Sequence, residues 1–478
     1  MIASELYDLL HEIAKIKSET QNIEIKAAKD GCPSKIYDTL SSFSNQDDGG
    51  IILFGIDESQ GFSEVGVYDA QDLQKHITEQ CNQMSPAIRP VFSTVEKDGK
   101  IFVCAEIPGL DISDRPCFYA GKGRMKGSYV RVGDADEPMT EYEIYSYEAF
   151  RKKYQDDIRV KENVGIEILN KALMDEYLMR IKANKPNLAQ SSDARILELM
   201  SMTKNAVPTL AAILLFGDYP QAVFPQLCIT AISVPGREVG EIGSRGERFI
   251  DNKRIEGTLP QMLEEALMFV RKNTKTTTII DPKTGIRTDR DEYPLVAVRE
   301  AVLNALIHRD YSMNTEGMPV QIILYEDRLE ISNPGGLYGR MKIDQLGKVQ
   351  PDTRNPVLAV AMEILNKTEN RYSGIPTIRR ELKKASMPEP EFRDLRGKFS
   401  VCFYKEKETV AVDCSEEYSI LSFCKTYRTR KEIADFLKIK TQAHAIKTYV
   451  MPLVKRGVIE LEHPEKPRSP SQRYRTKI

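Results

Sequence analysis

Arg299-Glu300-Ala301-Val302-Leu303-Asn304-Ala305-Leu306-Ile307-His308-Arg309-Asp310-Tyr311 is the stretch on which the reading of this chain turns. Its apolar residues recur at helical spacing and predict a helix over residues 293–308. Projected at about 100° per residue, Leu295, Val298, Val302, Ala305 and Leu306 gather on one side, while Glu300, Asn304 and His308 form a stripe only about 80° wide. Leu303, Ile307 and Ala301 flank that stripe, so it is a polar seam in a largely apolar helix. A solvated face would be broader and richer in Lys and Glu. Two readings stand: a hydrogen-bonded seam inside a core, or, the favoured one, a seam that lines a ligand.

Downstream of the helix, residues 320–324 and 328–332 read as a hairpin with Glu326-Asp327 at its turn. A Gly/Pro loop, helices near 356–366 and 375–385, and a strand over 399–404 follow. Upstream lie an apolar segment at 207–216, a strand at 227–234 and an amphipathic helix near 259–273, which together form a second α/β body. The polar stretch 274–292 is long enough for a lid or a flexible crossover. The charged stretch 151–160 reads as a helical linker.

The amino-terminal part begins with an amphipathic helix to about residue 17, on Leu6, Leu9, Leu10, Ile13 and Ile16. Ile23-Glu24-Ile25-Lys26 alternates with period two, as a half-buried strand does. A helix over 34–44 leads through Asp48-Gly49-Gly50 into Ile51-Ile52-Leu53-Phe54-Gly55-Ile56, a continuous apolar run expected of a central strand. A helix near 69–84, a strand near 101–107 and the Gly-rich basic loop 121–127 complete about 150 residues.

The chain has 478 residues, 41% hydrophobic and 29% charged, which calls for several domains and excludes fibrous or wholly disordered architectures. No run reaches the roughly 18 apolar residues of a spanning helix, and the amino terminus lacks a signal-peptide pattern. The eight cysteines form no C-x-x-C pair, so a reduced, cytoplasmic protein without membrane attachment is expected. The net charge of −2 hides an asymmetry: residues 416–478 hold 14 Lys and Arg against 7 Asp and Glu, a charge of +7 that leaves −9 for residues 1–415.

The quoted helix resembles the N box of the GHKL ATPase superfamily, in the divergent branch found in bacterial ATP-binding transcriptional regulators. Ile331-Ser332-Asn333-Pro334-Gly335-Gly336-Leu337, Thr353-Arg354-Asn355-Pro356 and Tyr372-Ser373-Gly374-Ile375 continue the match in order. The resemblance implies Glu300 as ATPase base, Asn304 as the Mg²⁺ ligand, and Asn304, His308, Asn333, Gly335, Gly336, Arg354, Ser373 and Gly374 as ATP-binding residues. The residue types suit that chemistry, because a carboxylate orients water and an amide oxygen is a hard Mg²⁺ ligand. The superfamily's adenine-reading Asp is replaced by Asn333, and the second Gly box is reduced to Ser373-Gly374.

Residues 15–135 resemble the Schlafen AlbA-like domain, on Glu19, Glu24, Lys26, Asp48-Gly49-Gly50 and Phe54-Gly55-Ile56-Asp57-Glu58. Two readings stay open. One is a nuclease in which Glu19, Glu24 and Asp57 hold Mn²⁺ or Mg²⁺ beside Lys26. The other is a surface ion pair on a non-catalytic domain that binds RNA or DNA. Lys122, Arg124 and Lys126 offer interleaved cations for a phosphate backbone or a merely solvated hairpin tip.

The basic tail reads as a winged helix-turn-helix. Thr429-Arg430-Lys431-Glu432 is a capping box opening one helix, a second helix spans 441–450, and a strand over 458–461 and a wing follow. Gln442, His444 and Lys447 would read DNA bases while Arg473 and Arg475 meet phosphates. A protein-docking winged helix is the alternative. The expected architecture is α+β and multidomain: a Schlafen AlbA-like α/β domain (1–150), a linker helix and connecting α/β region (151–290), a GHKL-like α/β sandwich (291–408) and a winged helix (413–478). Its expected partners are ATP, Mg²⁺, nucleic acid and a second copy of the chain.

Overall fold

The computed structural model describes residues 2–34, 36–280, 287–350, 352–367, 373–395, 397–405, 421, 423–437, 442–455, 458–463 and 472–477. They fall into two compact units, residues 1–385 with 389–403, and residues 386–388 with 404–478. The architecture is mixed α/β and multidomain, as expected. Among the described residues no helix is long and apolar enough to cross a membrane.

The first unit opens with a four-stranded sheet in the order Ile23–Lys26, Gly50–Phe54, Lys100–Ile107, Val91–Lys97. The first two strands are parallel, so the chain must cross over between them, and the helix Tyr37–Ser44 makes that crossing. Alternate residues feed cores on both faces. Ile52, Phe54, Val103 and Ala105 pack with Leu40, Phe43 and Leu73 on one side. Leu53, Phe102 and Cys104 pack with Leu6, Leu10 and Ile13 of the helix Ala3–Ile16 on the other. Burial on both faces explains the unbroken apolar run at 51–54, and each fully buried side chain contributes about 1.5–3 kcal/mol.

A six-stranded sheet forms the rest of the unit's framework, in the order Asp251–Ile255, Ile229–Ser233, Val320–Leu324, Arg328–Pro334, Lys398–Tyr404, Glu391–Leu395. The helix Leu295–His308 lies against the strand Arg328–Pro334 and between the helices Leu259–Lys272 and Gly374–Lys384. The helix Leu210–Phe216 is buried at every position.

Three expectations are corrected. The stretch 274–292 contains paired antiparallel strands, Thr276–Ile280 and Arg287–Asp291, because its β-branched Thr and Ile residues favour an extended chain despite their polarity. The segment 151–160 is not a continuous helix. The helix Glu141–Lys152 stops at Lys153, which adopts a left-handed φ of 52°, and a single turn at Asp156–Ile158 follows, with Asp157 fully buried. The Gly-rich loop at 121–127 contains a helical turn, Gly123–Gly127.

In the second unit, Thr429 caps the helix Arg430–Phe436 through the expected reciprocal bonds with Glu432. The helix starting at Gln442–Ala445 continues through a wider turn, Ile446–Val450, into Met451–Lys455. The sequence reading ended it before Pro452, but a widened turn accommodates a proline that lacks an N–H. The strands Arg428–Thr429, Arg473–Thr476 and Ile459–Leu461 form one antiparallel sheet, in that order. Cys424, Ile433, Val450, Leu453 and Tyr474 make its core.

Candidate functional site

The helix Leu295–His308 buries Ala297, Val298, Ala301, Val302, Leu303, Ala305, Leu306 and Ile307. Its polar stripe is left facing a cleft of about 880 Å³, lined by Glu300, Asn304, His308, Asn333, Gly336, Ser373 and Gly374 among others. Ile331, Leu337, Ile378 and Phe399 give the cleft apolar walls. The seam therefore lines a cavity and is not sealed in the core.

Gly374 begins the helix Gly374–Lys384 directly beside the stripe. A Cβ at this position would lie 3.1 Å from Glu300 Oε2 and 3.2 Å from Asn304 Nδ2. Any side chain there would crowd both groups, so glycine keeps the helix's first amides close to them. A carboxylate, an amide and a helix start that offers the amides of Gly374 and Ile375 thus converge on one space, a donor set that suits a phosphate and its cation.

Another part of the lining is the loop at Gly335 and Gly336, of which Gly336 faces the cleft. Gly335 has φ 94°, and a Cβ there would meet Asp310 Cβ at 2.8 Å. The Asp310 amide donates to Pro334 O at 2.9 Å. Arg354, 8% exposed, donates from Nη2 to Gly336 O at 3.2 Å, with Nη1 3.7 Å from Asp310 Oδ2. Its guanidinium lies 5.1 Å from the Tyr338 ring, so Arg354 fastens the Gly loop from behind. Asn355 donates to Ile307 O and Arg309 O, both at 2.8 Å, and so closes the end of the stripe-bearing helix. Asn333 is buried and donates to Pro334 O at 3.1 Å. His308 is open to the cleft, and desolvation by the cleft walls and then the Arg354 cation lower its pKa from the usual imidazole value. Tyr372 lies outside the described residues.

The amino-terminal carboxylates are arranged differently from the metal trio expected of a nuclease. Glu24 is buried, with Oε2 bonded to Arg131 Nη2 at 2.8 Å and Oε1 to Lys26. Arg131 also pairs with Asp136, which accepts from Thr39 and Ser42. Glu19 accepts from Ile25 N at 2.7 Å, and burial raises its pKa. Asp57 is bound to Ser59 and Gln60 in its own turn, which holds its carboxyl below the usual range. Among the described residues no three His, Cys, Asp or Glu side chains are grouped to hold a metal. Two corrections follow. Glu19, Glu24 and Asp57 are not assembled as a metal site, because each oxygen of Glu24 has a cationic partner. Nor is Glu24–Lys26 a surface pair, because Arg131 draws Glu24 inward.

Lys122 and Lys126 are exposed and Arg124 half-buried; Lys122 reaches Tyr129 Oη at 3.1 Å and Arg124 lies over the Phe118 ring. In the second unit Gln442 is exposed, while the side chains of His444 and Lys447 lie outside the described residues. Arg473 donates to Glu462 at 2.6 and 2.8 Å, and Arg475 to Glu460 at 2.7 Å. The two arginines assigned to phosphates therefore already hold carboxylates.

The sequence assigns no role to Arg131, Asp310, Asn355 or Tyr142, although Asp310 and Asn355 lie in the quoted motifs. The Asn355-Pro356 pair marks the start of the helix expected near residue 356. The Arg131 partnership spans 107 residues and leaves no local trace.

Three family models match the chain. They are "Schlafen, AlbA_2" over residues 19–140, "Putative ATP-dependent DNA helicase recG C-terminal" over 317–403, and "Filamentation induced by cAMP protein Fic-like, C-terminal domain" over 419–476. The second match takes in Gly335, Gly336, Arg354 and Gly374 and begins after the helix Leu295–His308. Among solved structures, the DIP2311 protein from Corynebacterium diphtheriae is 16% identical, over 93% of this chain and 92% of that one, with a TM-score of 0.40. The N-terminal domain of a RecG-related protein from Nitrosomonas europaea is 27% identical, over 28% of this chain and 92% of that one, with a TM-score of 0.23. No curated protein matches. The chain carries an AlbA_2 domain and an ATPase-type domain, and that pairing suggests an ATP-binding, nucleic-acid-associated protein.

Proposed function

We propose that this protein is an ATP-binding regulator of transcription, in which nucleotide held in the cleft over Leu295–His308 controls binding of DNA. The observation that carries the reading is the meeting of Glu300, Asn304 and the start of the helix Gly374–Lys384 across one cleft. Asn304 would hold Mg²⁺ through its amide oxygen, and the ion would neutralise phosphate charge when bound. In this reading Glu300 would orient and deprotonate water, and the amides near Gly336 and Gly374 would donate to nucleotide oxygens. The +7 tail supplies the DNA-binding surface in this reading, aided by Lys122 and Lys126.

Titration calorimetry with ATP and Mg²⁺ tests the cleft. Asn304→Ala should weaken binding at least about tenfold, by loss of a charge-assisted ligand. Glu300→Gln should retain binding and slow any hydrolysis by about 10²–10⁴, the usual contribution of a general base. Unchanged ATP affinity in Asn304→Ala overturns the assignment. Equal DNA affinity of the full chain with and without ATP overturns the regulatory link.

A further inference from the structure

The helix Glu141–Lys152 starts just past the AlbA_2 match, with Thr140 as its N-cap. Its first turn carries Tyr142, whose ring lies against the glycine at 397. A Cβ on Gly397 would meet Tyr142 Cε1 at 2.6 Å and Cδ1 at 2.7 Å, so only glycine leaves room for the ring. Gly397 O also accepts from Gly335 N at 2.7 Å. The Tyr142 hydroxyl donates to Asp310 Oδ2 at 2.6 Å, and Asp310 packs beneath Gly335. Burial, then the Asp310 charge, raises the Tyr142 pKa, which keeps the phenol protonated and donating. Tyr142 thus touches the back of the Gly loop through two partners, while Gly336 on that loop lines the cleft.

The geometry points to Tyr142 as a positioning residue for the nucleotide cleft, supplied by the segment that trails the AlbA_2 domain. The inference rests on the reading of the cleft as an ATP site. Asp310 is 4% exposed, so loss of the hydroxyl removes a close donor where water has little access to replace it. Arg354 Nη1, 3.7 Å away, is the nearby cation that can turn toward Asp310, and doing so draws Arg354 off Gly336 O. Two other links from this wall to the AlbA_2 domain, Arg340 to Asp111 at 3.0 Å and Lys342 to Asp47 at 3.1 Å, are exposed and worth little. Because coupling between binding sites is reciprocal, nucleotide that fixes the Gly loop also steadies Tyr142 and its helix.

The test uses the full chain. Tyr142→Phe keeps the ring beside Gly397 and removes only the hydroxyl. It should lower the melting temperature by a few degrees, the cost of one buried hydrogen bond, and weaken ATP binding about tenfold, the scale of one charge-assisted hydrogen bond. A packing role alone would leave this variant at wild-type affinity, and that result overturns the inference while the ATP reading stands. A wild-type chain that does not bind ATP overturns both. As a second readout, ATP should slow hydrogen exchange in the helix Glu141–Lys152 as well as at residues 335–338; protection confined to the loop overturns the coupling.

Discussion

Asp157 is a carboxylate whose two oxygens have different surroundings. Oδ2 accepts from Val357 N at 2.8 Å and Leu358 N at 3.2 Å, capping the helix Pro356–Ile364 from 200 residues away. Oδ1 is buried and has no hydrogen-bond partner among the described residues. Burial outweighs the two amides and raises the pKa to about 6. A folded-state pKa above the unfolded value means that the folded chain binds the extra proton between the two. The stabilisation is therefore complete below about pH 4 and is lost as pH rises through about 6, on the order of 3 kcal/mol in all. Asp157→Asn keeps an acceptor for the amides and removes the charge. Urea unfolding from pH 4 to 8 should show this variant more stable than wild type above pH 6 and similar to it near pH 4. A destabilised variant at pH 8 would mean that the charge itself is needed as the cap.

Among the elements, the junction of Leu295–His308 with Pro356–Ile364 decides most about the cleft. Asn355 satisfies two carbonyls at the end of the first helix, and Pro356 opens the second, where a missing N–H does no harm. Asn355→Ala should cost about 2–4 kcal/mol, since two acceptors lose their donor in a sealed environment. It should also loosen the stripe that presents Asn304 and His308. Loss of less than 1 kcal/mol in denaturant melts, a limit set near the net worth of one hydrogen bond, would show that the carbonyls find other donors. The same elements show what the sequence could reveal. Glu300, Asn304 and His308 share one helix face, so a periodicity of 3.6 exposed them together. The strand Glu391–Leu395 escaped notice because, as an edge strand with Glu391, Arg393 and Asp394, it carries no clean apolar alternation. Tyr142 and Asp310 meet across 168 residues, and no local pattern marks such a pair.

At the scale of the whole molecule the charge asymmetry survives the pairing of two of its arginines, because the carboxylates that hold them are already subtracted in the net count. The +7 of residues 416–478 includes Arg473 and Arg475, and both guanidiniums are held by Glu462 and Glu460 on the neighbouring chain segment. DNA binding by this unit, as proposed, must either exchange those carboxylates for phosphates or proceed without the two arginines. The exchange is feasible because exposed pairs of this kind are worth about 0–1 kcal/mol each. Replacing both acids, Glu460→Gln with Glu462→Gln, frees the cations before DNA arrives and removes two repelling charges. Affinity for duplex DNA should then rise, and the slope of log K against log salt should steepen by up to about 2, near 0.9 for each phosphate newly contacted. If affinity rises with no change in slope, the gain comes from lost repulsion and the arginines do not reach the backbone. If neither quantity changes, the strand pair Ile459–Leu461 and Arg473–Thr476 faces away from the nucleic acid. Protein docking then becomes the better reading of the tail.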